Sequence, residues 1–156
     1  MKPKILIAFD DSENAMRAVK FVADAFTPES RVTLFHVLQD SAALCEMNSP
    51  ELTSYFQSQQ TAFCALEDQK KMLVENAMQE AKAFLGKAGF DASKIALKIE
   101  TKKKGVARDI VTEAQNGYGI IVLGRRGVSG IREFIMGSVS QKILHTAKDM
   151  SVLMVN

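Results

Sequence analysis

The chain has 156 residues, of which 47% are hydrophobic and 24% charged, with a formal net charge of +2. That composition allows one domain around one core and excludes a disordered chain. The slight positive charge is no basic stripe for tracking phosphate backbones, and no apolar run reaches the length of a membrane span or signal-peptide core. The expectation is a single domain over 1–156, cytoplasmic, with no nucleic-acid or membrane partner, in which any anion site must come from local geometry.

The first apolar run, Lys4 to Phe9, reads as a buried strand and ends in Asp10 and Asp11. Ala15, Val19, Val22 and Phe26 then recur at helical spacing behind Ser12, an expected N-cap. A second strand spans Val32 to Val37 and is followed by an irregular, polar insertion at about 39–64 carrying Tyr55, Phe56 and Phe63. That insertion reads as a surface excursion that partly extends the next helix, with a lid or partner contact as the alternative. Cys45 and Cys64 form no CxxC pair and have no nearby histidine, so a zinc or redox motif is not expected and reduced thiols are.

Leu66, Leu73, Ala77, Ala81 and Phe84 predict the apolar face of a long second helix, with Gly86 and Gly89 as candidate terminators. The run Ile95 to Glu100 alternates and is placed near a sheet edge. Lys102, Lys103 and Lys104 read as a solvated connection into a third helix carrying Val106, Ile110 and Ala114, which stops at Asn116-Gly117. A fourth strand covers Gly119 to Leu123. A fourth helix runs from Gly137 to Ala147 through Val139, Ile143 and Leu144, and the last strand is Ser151 to Val155.

Strands and helices that alternate with short connections predict an α/β fold: an open, five-stranded parallel sheet with right-handed crossovers and helices on both faces. Ligands of such sheets sit beyond the carboxyl ends of the strands, where the strand order reverses. Phe9 to Ser12, Val37 to Asp40 and the turn after Leu123 are therefore the places to search.

That turn carries the chemistry. Gly124 ends a strand, Gly127 follows three residues later, and after nine more residues Gly137-Ser138 opens a helix. Glycine lets backbone N–H groups approach a phosphate without an intervening Cβ, and a helix N-terminus offers unsatisfied amides and the positive end of its dipole. The Ser138 hydroxyl adds a donor, and Arg125, Arg126 and Arg132 add charge. Met136 precedes Gly137, so the lysine of a P-loop is missing and the spacing is not the dinucleotide fingerprint either.

The G-x2-G-x9-G-[ST] turn, together with ILIAFDDSENAMRAVKFV, VTLFHVL and SVLMV, resembles the ATP-binding branch of the universal stress protein family over the whole chain except 39–64. The resemblance implies a Rossmann-like sheet of order 3-2-1-4-5 related to adenine nucleotide alpha hydrolases, and a homodimer through the last strand, 151–155. It implies that Ala8, Phe9 and Asp10 line the adenine and ribose pocket, that Val37 meets adenine through its backbone, and that Leu123 flanks the nucleotide. Gly124, Arg126, Gly127, Gly137, Ser138, Val139 and Ser140 would bind the phosphates, with Mg²⁺ or Mn²⁺ held by the ATP itself. Three positions depart from the family pattern: Asp11 stands where glycine is common, Gly119 where aspartate is, and Arg125 where a small residue is.

Rival readings have less behind them. Asp10 and Asp11 resemble the acidic pair of a phosphate-accepting receiver, but the later strands end in His36-Val37 and Glu100-Thr101 and supply neither its second aspartate nor its lysine. An adenylyl-transferring enzyme would carry an HxGH or SGGxDS signature, which is absent. His36 reads as a strand-packed, hydrogen-bonded histidine and His145 as a surface residue. With no general base near Ser138, no catalytic residue is assigned and any ATP hydrolysis is expected to be slow. A nucleotide-independent interaction protein on the same fold, or a binder of AMP or a cyclic nucleotide, is the alternative.

Overall fold

The computed structural model describes residues 2–47, 53–125 and 136–156. Its strands are β1 (Lys4–Ala8), β2 (Arg31–Leu38), β3 (Ile95–Thr101), β4 (Ile120–Gly124) and β5 (Ser151–Val155). They pair in parallel in the order β3-β2-β1-β4-β5, as expected, with the alternating β3 at one edge and β5 at the other. The helices are α1 (Glu13–Ala25), the single turn α2 (Ala42–Cys45), α3 (Ser54–Lys87), α4 (Val106–Ala114) and α5 (Ser138–Thr146).

Successive residues of a strand face opposite sides, so a sheet covered on both faces buries every position of its central strands. Ile5 and Ile7 point into one core with Val19, Val22, Met78 and Leu85 of α1 and α3. Leu6 points into the other, with Ile110 and Val111 of α4 and Ile143 of α5. All three strand residues are fully buried, which is why β1 reads as an unbroken apolar run.

Local signals explain the ends of the helices. Ser12 is the N-cap of α1, its Oγ accepting from the Ala15 N–H at 3.2 Å. Helix α3 closes in a Schellman motif: Phe90 N–H donates to the Leu85 carbonyl, Gly89 N–H donates to that of Gly86, and Gly89 adopts φ +98°. Gly86 therefore lies inside the helix, and Gly89 alone is the terminator.

Two expected faces are corrected. The buried stripe of α3 is Val74, Met78, Ala81 and Leu85, while Leu66 and Leu73 are each 55% exposed. The true stripe is displaced by one residue, or 100° of helix rotation, because Leu66 and Leu73 mark the side of α3 turned from the sheet. In α5, Ile143 is buried but Val139 and Leu144 are exposed.

The cysteine expectation is also corrected. Cys45 and Cys64 are joined in a disulfide, with their Cα atoms 5.8 Å apart. Motif criteria test for metal and active-site thiols; they are blind to a pair separated by 19 positions that is brought together when α2 folds back on α3.

Candidate functional site

Three helices, α1, α4 and α5, start at the carboxyl end of the sheet, and between them a cleft of about 600 Å³ opens over the ends of β1, β2 and β4. It lies where the strand order reverses, with β1 pairing to β2 on one side and β4 on the other. Ala8, Phe9, Asp10, Val37, Leu123, Gly124, Val139 and Ser140 line it. Gly137 and Ser138 open α5 but are not in the cleft wall, and Arg126, Gly127 and Arg132 lie outside the described residues.

The floor is rigid. Phe9 N–H donates to the Phe35 carbonyl at 2.8 Å, and His36 Nδ1 lies 2.7 Å from the Phe9 carbonyl. A carbonyl only accepts, so Nδ1 carries the proton and His36 serves to tie β2 to the end of β1. Asp10 Oδ1 accepts from the Ser12 N–H at 2.9 Å, closing the loop before α1.

Gly124 is required for a reason independent of any ligand. A Cβ there would collide with the backbone carbonyl of Asn14, so the close approach of β4 to the first turn of α1 admits only glycine. Arg125 is turned outward: its N–H donates to the Val155 carbonyl at 2.7 Å and its guanidinium to Asn156 Oδ1 at 3.3 Å.

The three helix N-termini differ in what they offer an anion. That of α1 is capped by Ser12 and has Glu13 in its first turn. That of α4 has Gly105 as N-cap but carries Asp109, whose carboxylate accepts from the N–H groups of Lys103 (2.7 Å) and Lys104 (3.0 Å). Burial pushes the Asp109 carboxyl up, but these backbone donors outweigh it and hold the group below its ordinary value. Helix α5 has Gly137 as N-cap, no side-chain cap and no acid in its first turn. Among the described residues, its first amides are thus the ones least answered by side chains.

Sequence reasoning missed the wall that α3 contributes. Glu67, Lys70 and Val74 line the cleft, as do Val106 and Ile110 of α4. Lys70 Nζ donates to Glu67 Oε1 at 3.1 Å. The available signal was the spacing 60, 64, 67, 74, 78, 81, 85, a continuous helical stripe that changes from polar to apolar along its length.

Among the described residues, no group of three or more His, Cys, Asp or Glu is placed to hold a metal ion, and no helix is long and apolar enough to cross a membrane. The chain is 25% identical over 142 residues to the universal stress protein YxiE of Bacillus subtilis, covering 90% of each chain. Its fold matches a universal stress protein from Archaeoglobus fulgidus with a TM-score of 0.68 at 18% identity, over 100% of this chain and 99% of that one. It also matches a universal stress protein in complex with cAMP, with a TM-score of 0.60 at 15% identity, over 100% and 98% of the two chains. The sequence model described as the Universal stress protein family matches residues 1–156, and the chain belongs to that family.

Proposed function

We propose that the chain binds an adenine nucleotide, ATP foremost, in the cleft at the carboxyl end of the sheet and works as a cytoplasmic regulatory module of the stress response. The observation that carries this reading is the α5 N-terminus, uncapped and free of acids, beside a cleft whose walls are mostly apolar. An apolar slot with one anion-favouring end suits a base joined to phosphates. Ala8, Phe9, Val37 and Leu123 would hold the base, Asp10 the ribose, and Gly137, Ser138, Val139 and Ser140 the phosphates, with Arg126 and Gly127 completing the turn. Mg²⁺ or Mn²⁺ would be carried by the phosphates, since the described residues offer no ready metal cluster. No described group is set to activate water at that end, so turnover is expected to be slow at most.

The direct test is Gly137→Asp. An aspartate suits an N-cap and would keep α5 stable, but its carboxylate would occupy the amides and repel phosphate. By calorimetry ATP affinity should fall about tenfold or more, with adenosine binding unchanged. Equal ATP affinity in the two proteins would overturn the placement of the phosphates. The cAMP-bound relative favours a second reading, a cyclic nucleotide in the same cleft, and a parallel cAMP titration decides between them.

We also propose a homodimer through β5. Its Val152, Leu153 and Met154 are partly exposed at the sheet edge, and pairing with a second copy would cover an edge that otherwise invites aggregation. Sedimentation velocity should find a dimer, and a monomer at every concentration would dismiss it.

A further inference from the structure

The stripe of α3 that faces inward does three jobs in succession. Val74, Met78, Ala81 and Leu85 grip the sheet. Glu67, about two turns before Val74, lines the cleft beside Lys70. Cys64 and Gln60, earlier still on the same stripe, hold α2: Cys64 through the disulfide to Cys45, and Gln60 through Nε2–H bonds to the carbonyls of Leu44 (2.5 Å) and Met47 (2.8 Å). The cleft wall thus lies between a grip made of apolar contacts and a clasp made of one covalent bond and two hydrogen bonds. Both cysteines are half-buried, within reach of a small reductant.

We propose that the Cys45–Cys64 bond is a redox-responsive modification site whose reduction by a dithiol loosens the α3 wall and lowers the affinity of the cleft for nucleotide. The inference rests on the nucleotide reading above. One thiolate of the dithiol attacks a cystine sulfur, forming a mixed disulfide and releasing the other cysteine as a thiolate. The second thiolate of the reductant then displaces the remaining cysteine. Two electrons pass to the protein, both cysteines take up protons, and the reductant leaves as its disulfide. In a reducing compartment such a bond is transient, which suits a signal. Among the described residues, its loss leaves the Gln60 hydrogen bonds to hold α2, so residues 54–70 sample more conformations and Glu67 and Lys70 must be ordered when ligand binds.

The test compares oxidised protein, protein treated with dithiothreitol, and the Cys45→Ser/Cys64→Ser variant. Alkylation should add two adducts to the wild type only after reduction. Amide exchange should quicken over 54–70 and stay unchanged over 74–87. ATP affinity should fall about threefold to tenfold on reduction, and the variant should show the reduced values without reductant. Two adducts without reductant, unchanged exchange over 54–70, or a variant that binds like the oxidised protein would each overturn the proposal. Equal ATP binding in both redox states would overturn it while leaving the nucleotide reading intact; no ATP binding in either state would remove both.

Discussion

Helices α3 and α4 cover opposite faces of the same sheet and are fastened by different physics. Helix α3 is 34 residues long, yet its sheet-facing residues, Val74, Met78, Ala81 and Leu85, all lie in its C-terminal half. Helix α4 has nine residues and buries two carboxylates, Asp109 and Glu113, among its apolar side chains. Asp109 bonds the turn that precedes α4. Glu113 accepts from Lys98 Nζ at 2.7 Å, from the Tyr118 hydroxyl at 3.0 Å and from Asn116 Nδ2 at 3.2 Å, which ties the other end to β3 and to the chain leading into β4. The long helix is held by burial along part of its length; the short one buries Ala107, Ile110, Val111 and Ala114 from end to end and adds ionised groups at both ends. A helix can therefore be short and anchored along its whole length, or long and only half anchored.

The largest effect that would test this contrast lies in the C-terminal half of α3. Met78 is 1% exposed and surrounded by the core of α1 and the sheet. Met78→Ala should cost about 2–5 kcal/mol in urea unfolding, the usual range for emptying a packed core site of that size. A cost below about 1 kcal/mol would mean that α3 is held mainly by something other than its apolar stripe.

For α4 the expected effect is smaller and depends on pH. Burial pushes the Glu113 carboxyl up, but the hydrogen bonds from Lys98 and Tyr118 outweigh it and hold the group below its ordinary value. Lys98 is raised in turn, chiefly by Glu113, so both partners point to one favourable ion pair. A carboxyl held low in the folded state stabilises fully above its unfolded value, about 4.3 for Glu and 3.9 for Asp, and loses that contribution as pH falls through the lower folded value. Lys98 works in the opposite sense: its contribution is present below its unfolded value and is lost as pH rises through the raised one. The wild type should therefore lose melting temperature steadily as pH is lowered from about 5 toward 2. Glu113→Gln and Asp109→Asn should each lower stability at pH 7, by about 1–3 kcal/mol for bonds to charged groups, and should flatten that acid limb. An acid limb identical to wild type would show that these carboxylates do not hold α4.

The same contrast explains what could be read from the sequence. The α/β class and the position of all five strands were legible because β1, β2 and β4 are buried on both faces, β3 alternates at one edge, and β5 is a short apolar run at the other. The cleft was legible where it is made of strand ends and the first turn of α5, at Ala8, Phe9, Val37, Leu123, Val139 and Ser140, while Gly137 and Ser138 open that helix outside the wall. Its α3 wall was not. Glu67 and Lys70 are polar, and finding them requires the rotation of a helix whose apolar residues point both ways. The disulfide was hidden for a related reason: 19 positions of sequence hold no clue that α2 folds onto the stripe carrying Cys64. Nothing in the sequence singles out Asp109 and Glu113, since only tertiary contacts reveal that they are buried.

The smallest expected effect separates the two sides of α3 from each other. Leu66 and Leu73 have the spacing that first suggests a core face, but each is more than half exposed. Replacing an exposed leucine by alanine keeps helix propensity and removes little buried surface, so Leu66→Ala and Leu73→Ala should each change stability by less than about 0.5 kcal/mol. The comparison with Met78→Ala on the same helix cancels differences in propensity and leaves burial as the variable. A cost near that of Met78→Ala would mean that this side of α3 is covered in solution, and sedimentation of Leu66→Ala beside wild type would then show whether a second copy supplies the cover. With no cost, Leu66 and Leu73 are the exposed side of a helix whose other side does the holding.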